Sequence, residues 1–548
     1  MKKTQLKRVF ATSLAVALSL SVLAGCGKKE DASANVPQVI KYNLGADPKT
    51  LDPALNSAVD GAIVLVNTFE GLMKLDDKDK PIPGVAEKYD VSADGLTYTF
   101  HLRDSKWSDG SAVTAKDFEY AWLRALDPAT AAEYAYQMYY IKNGEAFNTG
   151  KAKKEDVGVK AIDDKTLEVK LEKPTSYFLS LMAFPTYFPV KQDVVSKDKD
   201  WATKPETYIT NGAFKMKEWK PKDSITFVKN DNYYDTKDVS LTEIDYKLIS
   251  DETSAWASYK AGDLDMTDTV PSVEVQNALA DKTATNFPNL GSYYYHFNVS
   301  DNAKNVNADA AKVLANVKVR EALNLAVNRK DITEKVTKGG QIPAFSFVPQ
   351  GISDANGKDF SSKQYFNPEG DVAKAKQLLA EAGYADGKGF PTLELLYNSE
   401  GGHKDIAQAI QDMWKKNLGI NVELKNQEWK VFQVTRKQKN YELARGGWLG
   451  DYVDPMTFLD MWTSDSGQND SGYKNPDYDA LIEKAKSETD ATKRSEYMHQ
   501  AEDLLMKDLP ILPIYYYTAV KGVKDYVKGV RVSPLGFIYF DKVTIAKH

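Results

Sequence analysis

The sequence predicts an α/β protein with mixed sheets, divided into two or three domains, and three observations carry that reading. The chain has 548 residues, whereas a single hydrophobic core stops growing near about 250–300. Strand-period and helix-period stretches follow one another along almost its whole length. At 42% hydrophobic and 27% charged residues, the composition is that of a soluble globular chain with little disorder.

The elements follow in order. Met1–Arg8 is basic, and Val9–Val22 is apolar but too short to span a membrane as a helix. Leu23-Ala24-Gly25-Cys26 then resembles a bacterial lipobox, which implies that residues 1–25 are a signal peptide and that Cys26 is lipidated. More than one acyl chain gives a stable anchor, so a lipid-anchored, extracytoplasmic position at the cell membrane is expected. Residues 26–37 are small and polar and read as a tether. Val39, Tyr42 and Leu44 suggest a first strand. Leu96, Tyr98, Phe100 and Leu102 alternate with polar residues after the turn signal Asp94-Gly95. Thr114 and Asp117 open a helix whose apolar face is Phe118, Ala121, Trp122 and Ala125. Ala161–Val169 reads as a hairpin.

Residues 317–336 read as one helix ended by Gly339-Gly340, and Val372–Ala382 as another stopped by Gly383. Leu393–Tyr397, Asp405–Asn417 and Ile420–Leu424 form a strand–helix–strand unit. Asp479–Met506 reads as one long helix, and Leu512–Tyr517 as a strand returning near the end. No sharp linker separates folded parts, so the chain is expected to cross between domains more than once.

Charge and motif content narrow the function. Lys2, Lys3, Lys7 and Arg8 are four of the 71 basic residues, which leaves 67 against 77 acidic and a net charge of −10 beyond the leader. A net acidic chain without a basic block argues against nucleic acid as partner. The single cysteine excludes an internal disulfide, and His101, His296, His403, His499 and His548 show no metal-ligand spacing, so no metal or other cofactor is expected. Phosphate-loop, zinc-protease, nucleophile-elbow and dinucleotide motifs are absent from the sequence. Sequence cannot select a catalytic carboxylate pair among 77 acids. An enzyme is therefore not expected.

Five blocks occur in order along the chain: Phe69–Leu72, Trp107–Phe118, Thr210–Phe214, Val319–Arg329, and Asn426 through Arg436 and Arg445 to Tyr452. They resemble the oligopeptide-binding branch of the solute-binding proteins of ABC importers. The resemblance implies the two-lobed, hinged clamshell of periplasmic binding proteins with an extra third domain. By that analogy, lobe I comprises 38–69, 205–300 and 515–548, the extra domain 70–204, and lobe II 301–514. It also implies short peptides as ligands, a membrane ABC permease with its ATPases as partner, and a monomer.

A site that accepts many peptides should grip what all peptides share. The resemblance assigns the peptide ammonium to Asp451, in the loop Trp448-Leu449-Gly450-Asp451-Tyr452, where a charge-assisted bond would be strong. Gly447 and Leu449 would offer backbone groups as in strand addition, and Ser57 to Val59 a second edge. Trp429 and Trp448 would wall side-chain pockets. Arg436, Arg445 and His403 match positions where cations meet the ligand carboxylate. Lys335-Val336-Thr337 departs from the Lys-Val-Lys of relatives and puts the preferred length in doubt. Tyr134, Tyr136 and Tyr293-Tyr294-Tyr295 are weaker candidates, and alternation allows either Tyr294 alone or the other two to face the cleft. Water-filled pockets would leave specificity low. A signalling-peptide sensor of the same family, a lipid-anchored surface hydrolase and a ligand-free adhesive lipoprotein are the competing readings.

Overall fold

The structure is a computed structural model and describes residues 36–175 and 177–548. The expected signal segment and Cys26 lie outside the described residues, as does most of the expected tether.

Among the described residues, eleven strands join into one mixed sheet. From one edge the order is Val422–Gln427, Leu393–Asn398, Leu443–Leu449, Ala284–Phe297, Ile511–Val523, Met266–Thr267, Val39–Asn43, Glu243–Lys247, Ser224–Lys229 and Phe214–Lys220. Ile342–Pro343 adds to Ile511–Val523 from the side. The unit around helix His403–Leu418 is a true parallel crossover, since Leu393–Asn398 and Val422–Gln427 pair in parallel.

The two long central strands hold the halves of this sheet together. Thr285–Pro288 pairs with Thr518–Lys521, and Ser292–His296 pairs with Ile511–Tyr516, with a register shift between Pro288 and Ser292. The chain thus crosses between the halves by continuous strands, which explains why no linker is visible in the sequence. Two large apolar cores flank the crossing. One gathers side chains such as Tyr42, Phe100, Trp122 and Phe227, and the other Leu323, Leu395, Ile410 and Trp414.

A separate four-stranded antiparallel sheet runs in the order Ala86–Val91, Thr97–Leu102, Thr166–Lys170, Val159–Asp163. Helix Ala115–Leu126 covers it. The Asp117 carboxylate accepts from the Thr114 N–H at 2.7 Å and its hydroxyl at 3.0 Å, which closes the helix start.

Two long helices expected from periodicity are broken by side-chain caps. The 317–336 stretch ends its α-helix at Leu325, and Asn328 caps a new start by accepting from the Asp331 N–H. Residues Ile332–Thr337 then continue as π-helix. The 479–506 stretch is two helices, Pro476–Ser487 and Ala491–Asp508, the second capped by Asp490. In both places an Asx residue inside an amphipathic pattern offers the backbone a better partner than the next helical turn.

Candidate functional site

Strand Leu443–Leu449 builds the floor of the site. It pairs with Leu393–Asn398 only at Leu443 and Ala444. Beyond Ala444 the edge turned away from Ala284–Phe297 has no strand partner among the described residues, and that edge opens into a cavity of about 350 Å³. Arg445, Gly447 and Leu449 alternate along it, half-buried, between buried Gly446 and Trp448. An added Cβ at Gly447 would overlap the Tyr517 hydroxyl and push it aside, so glycine lets that hydroxyl sit close to the strand.

All nine peptide-contact candidates line this one cavity: Val59, His403, Trp429, Arg436, Arg445, Gly447, Trp448, Leu449 and Asp451. They come from segments almost four hundred residues apart in sequence. Val59 departs from its expected form. It begins helix Val59–Thr68, and the extended backbone lies just before it, at Ala58. Tyr294 faces the cavity, while Tyr293 and Tyr295 point into the core behind, as the pleat requires. Tyr136 stacks on Tyr134, which lines the cavity.

Asp451 is 8% exposed and meets no cation among the described residues. It accepts from the Tyr134 hydroxyl at 3.2 Å and from the Gln137 amide. Its backbone N–H donates to Thr457 Oγ1 at 2.9 Å. Burial, and then the charge of Asp460, push its carboxyl well above the usual range. The neighbouring Asp454 does the helix-opening job instead, accepting from the Met456 N–H and holding Arg494 in two bonds of 2.8 and 2.9 Å. Asp451 is thus spared the opening of that helix. Trp448 is fixed beside it by donating Nε1–H to the Thr457 carbonyl at 2.7 Å.

Arg445 is the counterpart. Its guanidinium lies over the Tyr293 ring at 5.0 Å and donates to the Tyr517 hydroxyl at 3.0 Å. Its Nε is buried without a partner, and no carboxylate pairs with it among the described residues. His403 Nδ1 lies 3.1 Å from the Tyr293 hydroxyl. Burial and the Arg445 charge hold His403 well below the usual imidazole range, so it is neutral. Arg436 differs from Arg445, because its guanidinium lies against the buried Asp470 carboxylate, 2.7 Å away, as an ion pair. Burial would raise the Asp470 carboxyl, but Lys437 and Arg436 override it and hold it at about 2. The same network continues from Lys437 to Glu133 at 3.2 Å and from Glu133 to Lys49 at 2.9 Å, tying four chain segments together.

A second cavity of about 330 Å³ adjoins the first and shares Arg445, His403 and Tyr517. Val336 and Thr337 line it, whereas Lys335 is 68% exposed and pairs with Asp331. The Lys-Val-Thr segment therefore brings no cation to the cavity. Sequence reasoning did not reach Gln137 or Tyr517. Gln137 sits 314 residues from the carboxylate it supports, and nothing local marks it. Tyr517 was within reach, since it continues the alternation of a strand that reading had found.

Residues 80–470 match the family described as bacterial extracellular solute-binding proteins, family 5 Middle. The chain belongs to that family. This solute-binding protein is 40% identical over 533 residues to the oligopeptide-binding protein OppA of Bacillus subtilis (strain 168), covering 94% of each chain. Listeria monocytogenes OppA bound to peptide superposes with a TM-score of 0.85 at 33% identity, over 93% of this chain and 100% of that one. The Escherichia coli murein tripeptide binding protein MppA gives 0.85 at 36% identity, over 93% and 99% of the two chains. The unliganded open form of MppA gives 0.62 over 93% and 98%. One protein thus scores well in one form and poorly when open, so the halves of this solute-binding protein are disposed unlike the open form. Its extracytoplasmic relatives share the two-lobed α/β architecture, and the cavity lies where the halves meet.

Proposed function

We propose that this protein captures short peptides between its lobes and delivers them to a membrane ABC permease with its ATPases. One observation carries the reading: among the described residues, one cavity holds a buried carboxylate that meets no cation and a half-buried guanidinium that meets no anion. Asp451 takes the peptide ammonium. Arg445, with the neutral His403 as hydrogen-bond donor, takes the carboxylate. The open strand edge at Gly447 and Leu449, faced by the extended backbone at Ser57–Ala58, pairs with the peptide main chain. Trp429, Trp448 and Val59 wall the side chains, and Arg436 stays on Asp470 and shapes the cavity floor.

The span from Arg445 to Asp451 is six residues, at most about 20 Å of strand. An extended tri- to pentapeptide measures roughly 10–17 Å, so both ends can be held at once. The relatives named for oligopeptides, and those solved with peptide bound, support this ligand class. They support equally a role in import without catalysis. We assign lobe I to 38–69, 205–300 and 515–548, the extra domain to 70–204 and lobe II to 301–514. The two long strands that cross the sheet act as the hinge. The protein acts as a monomer on the extracytoplasmic face, anchored through Cys26 after removal of residues 1–25.

The test is calorimetric titration of the purified protein, unfolded and refolded to strip carried-over ligand, with tri-, tetra- and pentapeptides. Saturable binding of free peptides with unit stoichiometry is expected. Binding of none of them would remove the ligand assignment while leaving the fold.

A further inference from the structure

The cavity also carries acceptors that the capture of peptide ends does not use. Asp60 is the second residue of helix Val59–Thr68, in one half of the molecule. Its Oδ2 accepts from Trp429 Nε1 at 3.1 Å, across a sequence separation of 369 residues. Its Oδ1 is buried with no hydrogen-bond partner. Glu400 also lines the cavity, from the loop after strand Leu393–Asn398. Asn398 holds it through its amide nitrogen, 3.3 Å from the Glu400 carbonyl and 3.2 Å from its carboxylate. Asn398 is only 4% exposed, and its own Oδ1 is unpartnered in the same cavity. Neither Asp60 nor Glu400 pairs with a lysine or arginine among the described residues.

Two carboxylates and an amide oxygen therefore share one recess with an indole ring, and neither carboxylate is ion-paired with a lysine or arginine among the described residues. Leaving a buried acceptor unpaired is costly, and leaving two negative charges together is costlier. Burial, with the nearby Glu400 charge as a minor contribution, holds the Asp60 carboxyl up at about 6. A guest that repays this must be cationic, must offer several N–H donors and must lie flat on an aromatic face.

We propose that the recess formed by Asp60, Glu400, Asn398 and the Trp429 ring is a side-chain subsite selective for a lysine or arginine residue of the captured peptide. The proposal rests on the peptide-capture reading. It replaces indifferent, water-filled pockets by one charged pocket among neutral ones. The site has walls from both halves of the molecule, so a basic side chain also bridges the lobes in the closed form.

The probes are nine tripeptides: Ala-Ala-Ala with each position in turn replaced by lysine, norleucine or glutamate. They are titrated into the purified full-length chain and into Asp60→Asn and Glu400→Gln. Norleucine keeps the lysine stem and removes the charge. At one position lysine is expected to bind about tenfold or more tighter than norleucine, the worth of a charge-assisted hydrogen bond, with glutamate the weakest. Either substitution should bring the lysine-to-norleucine ratio towards one. A ratio near one at every position in the wild type overturns the proposal even if neither variant folds. So does a high ratio that both variants retain. If none of the nine binds, the peptide-capture reading falls too, which separates that failure from loss of selectivity alone.

Discussion

Replacing Asp451 by asparagine removes its charge and keeps its shape. Tyr134 and Thr457 can go on making their hydrogen bonds to the side-chain oxygen and the backbone, Gln137 keeps its own by turning its amide, and the carboxylate has no cationic partner among the described residues to lose. What disappears is the capacity to pair with a peptide ammonium inside a cavity where Asp451 is 8% exposed. Truncating one partner of a buried, hydrogen-bonded charge pair costs roughly 2–4 kcal/mol, or about 30- to 1,000-fold in affinity. Acetylating the peptide N-terminus removes the other partner and should cost a similar amount in the wild type. In a double-mutant cycle the two losses should not add, because each abolishes the same pair. Calorimetry of one tripeptide, free and acetylated, against wild type and Asp451→Asn gives all four corners. If acetylation weakens binding as much in the variant as in the wild type, the ammonium is not at Asp451 and the orientation of the peptide proposed here is wrong.

Further outcomes follow from the same geometry. Because burial favours the protonated Asp451 and an ammonium would favour the charged one, peptide binding should release a proton. Affinity should therefore fall as pH is lowered, and the binding enthalpy should depend on the buffer. A buffer-independent enthalpy refutes the coupling. Gly447→Ala crowds the Tyr517 hydroxyl and with it the Arg445 guanidinium, so it should cut affinity for free peptides about tenfold. The gap between free and C-amidated peptides should narrow as well. Glu502 is 1% exposed and accepts from the Phe347 and Val348 N–H groups at 3.1 and 2.8 Å, and burial raises it from 4.5 to about 7. Its folded pKa lies above the unfolded value, so its contribution is complete below about pH 4.5 and lost as pH rises towards 7. That loss is on the order of 3 kcal/mol, and Glu502→Gln should remove it. Melting curves of the two proteins between pH 4 and 8 measure the difference. Finally, Asp490→Ala deletes the cap between helices Pro476–Ser487 and Ala491–Asp508 and should cost about 1 kcal/mol in urea unfolding, with the slope unchanged.

The division of labour between sequence and tertiary structure can be read from particular elements. Period-two alternation at Leu96–Leu102 and the strand–helix–strand run from Leu393 to Leu424 were legible because each buries a face set by local geometry alone. The five motif blocks carried the family and, with it, every peptide-contact candidate. The helix breaks at Asn328 and Asp490 were missed because apolar periodicity runs through them, and a capping side chain declares itself only when its partner N–H is in place. The charge state of the site also lay beyond the sequence. Nothing in the chain order tells that Arg436 is neutralised by Asp470 while Arg445 is left free, or that Gln137 supports Asp451. Nor does it tell that Asp60 faces Trp429 and Glu400 without a cation. These are facts about which side chains share a low-dielectric space, and electrostatic energy depends on distance and burial rather than on order along the chain. The sequence by itself determined the class of protein and the residues available. The fold decided which of those residues are spent on one another and which are left for a ligand.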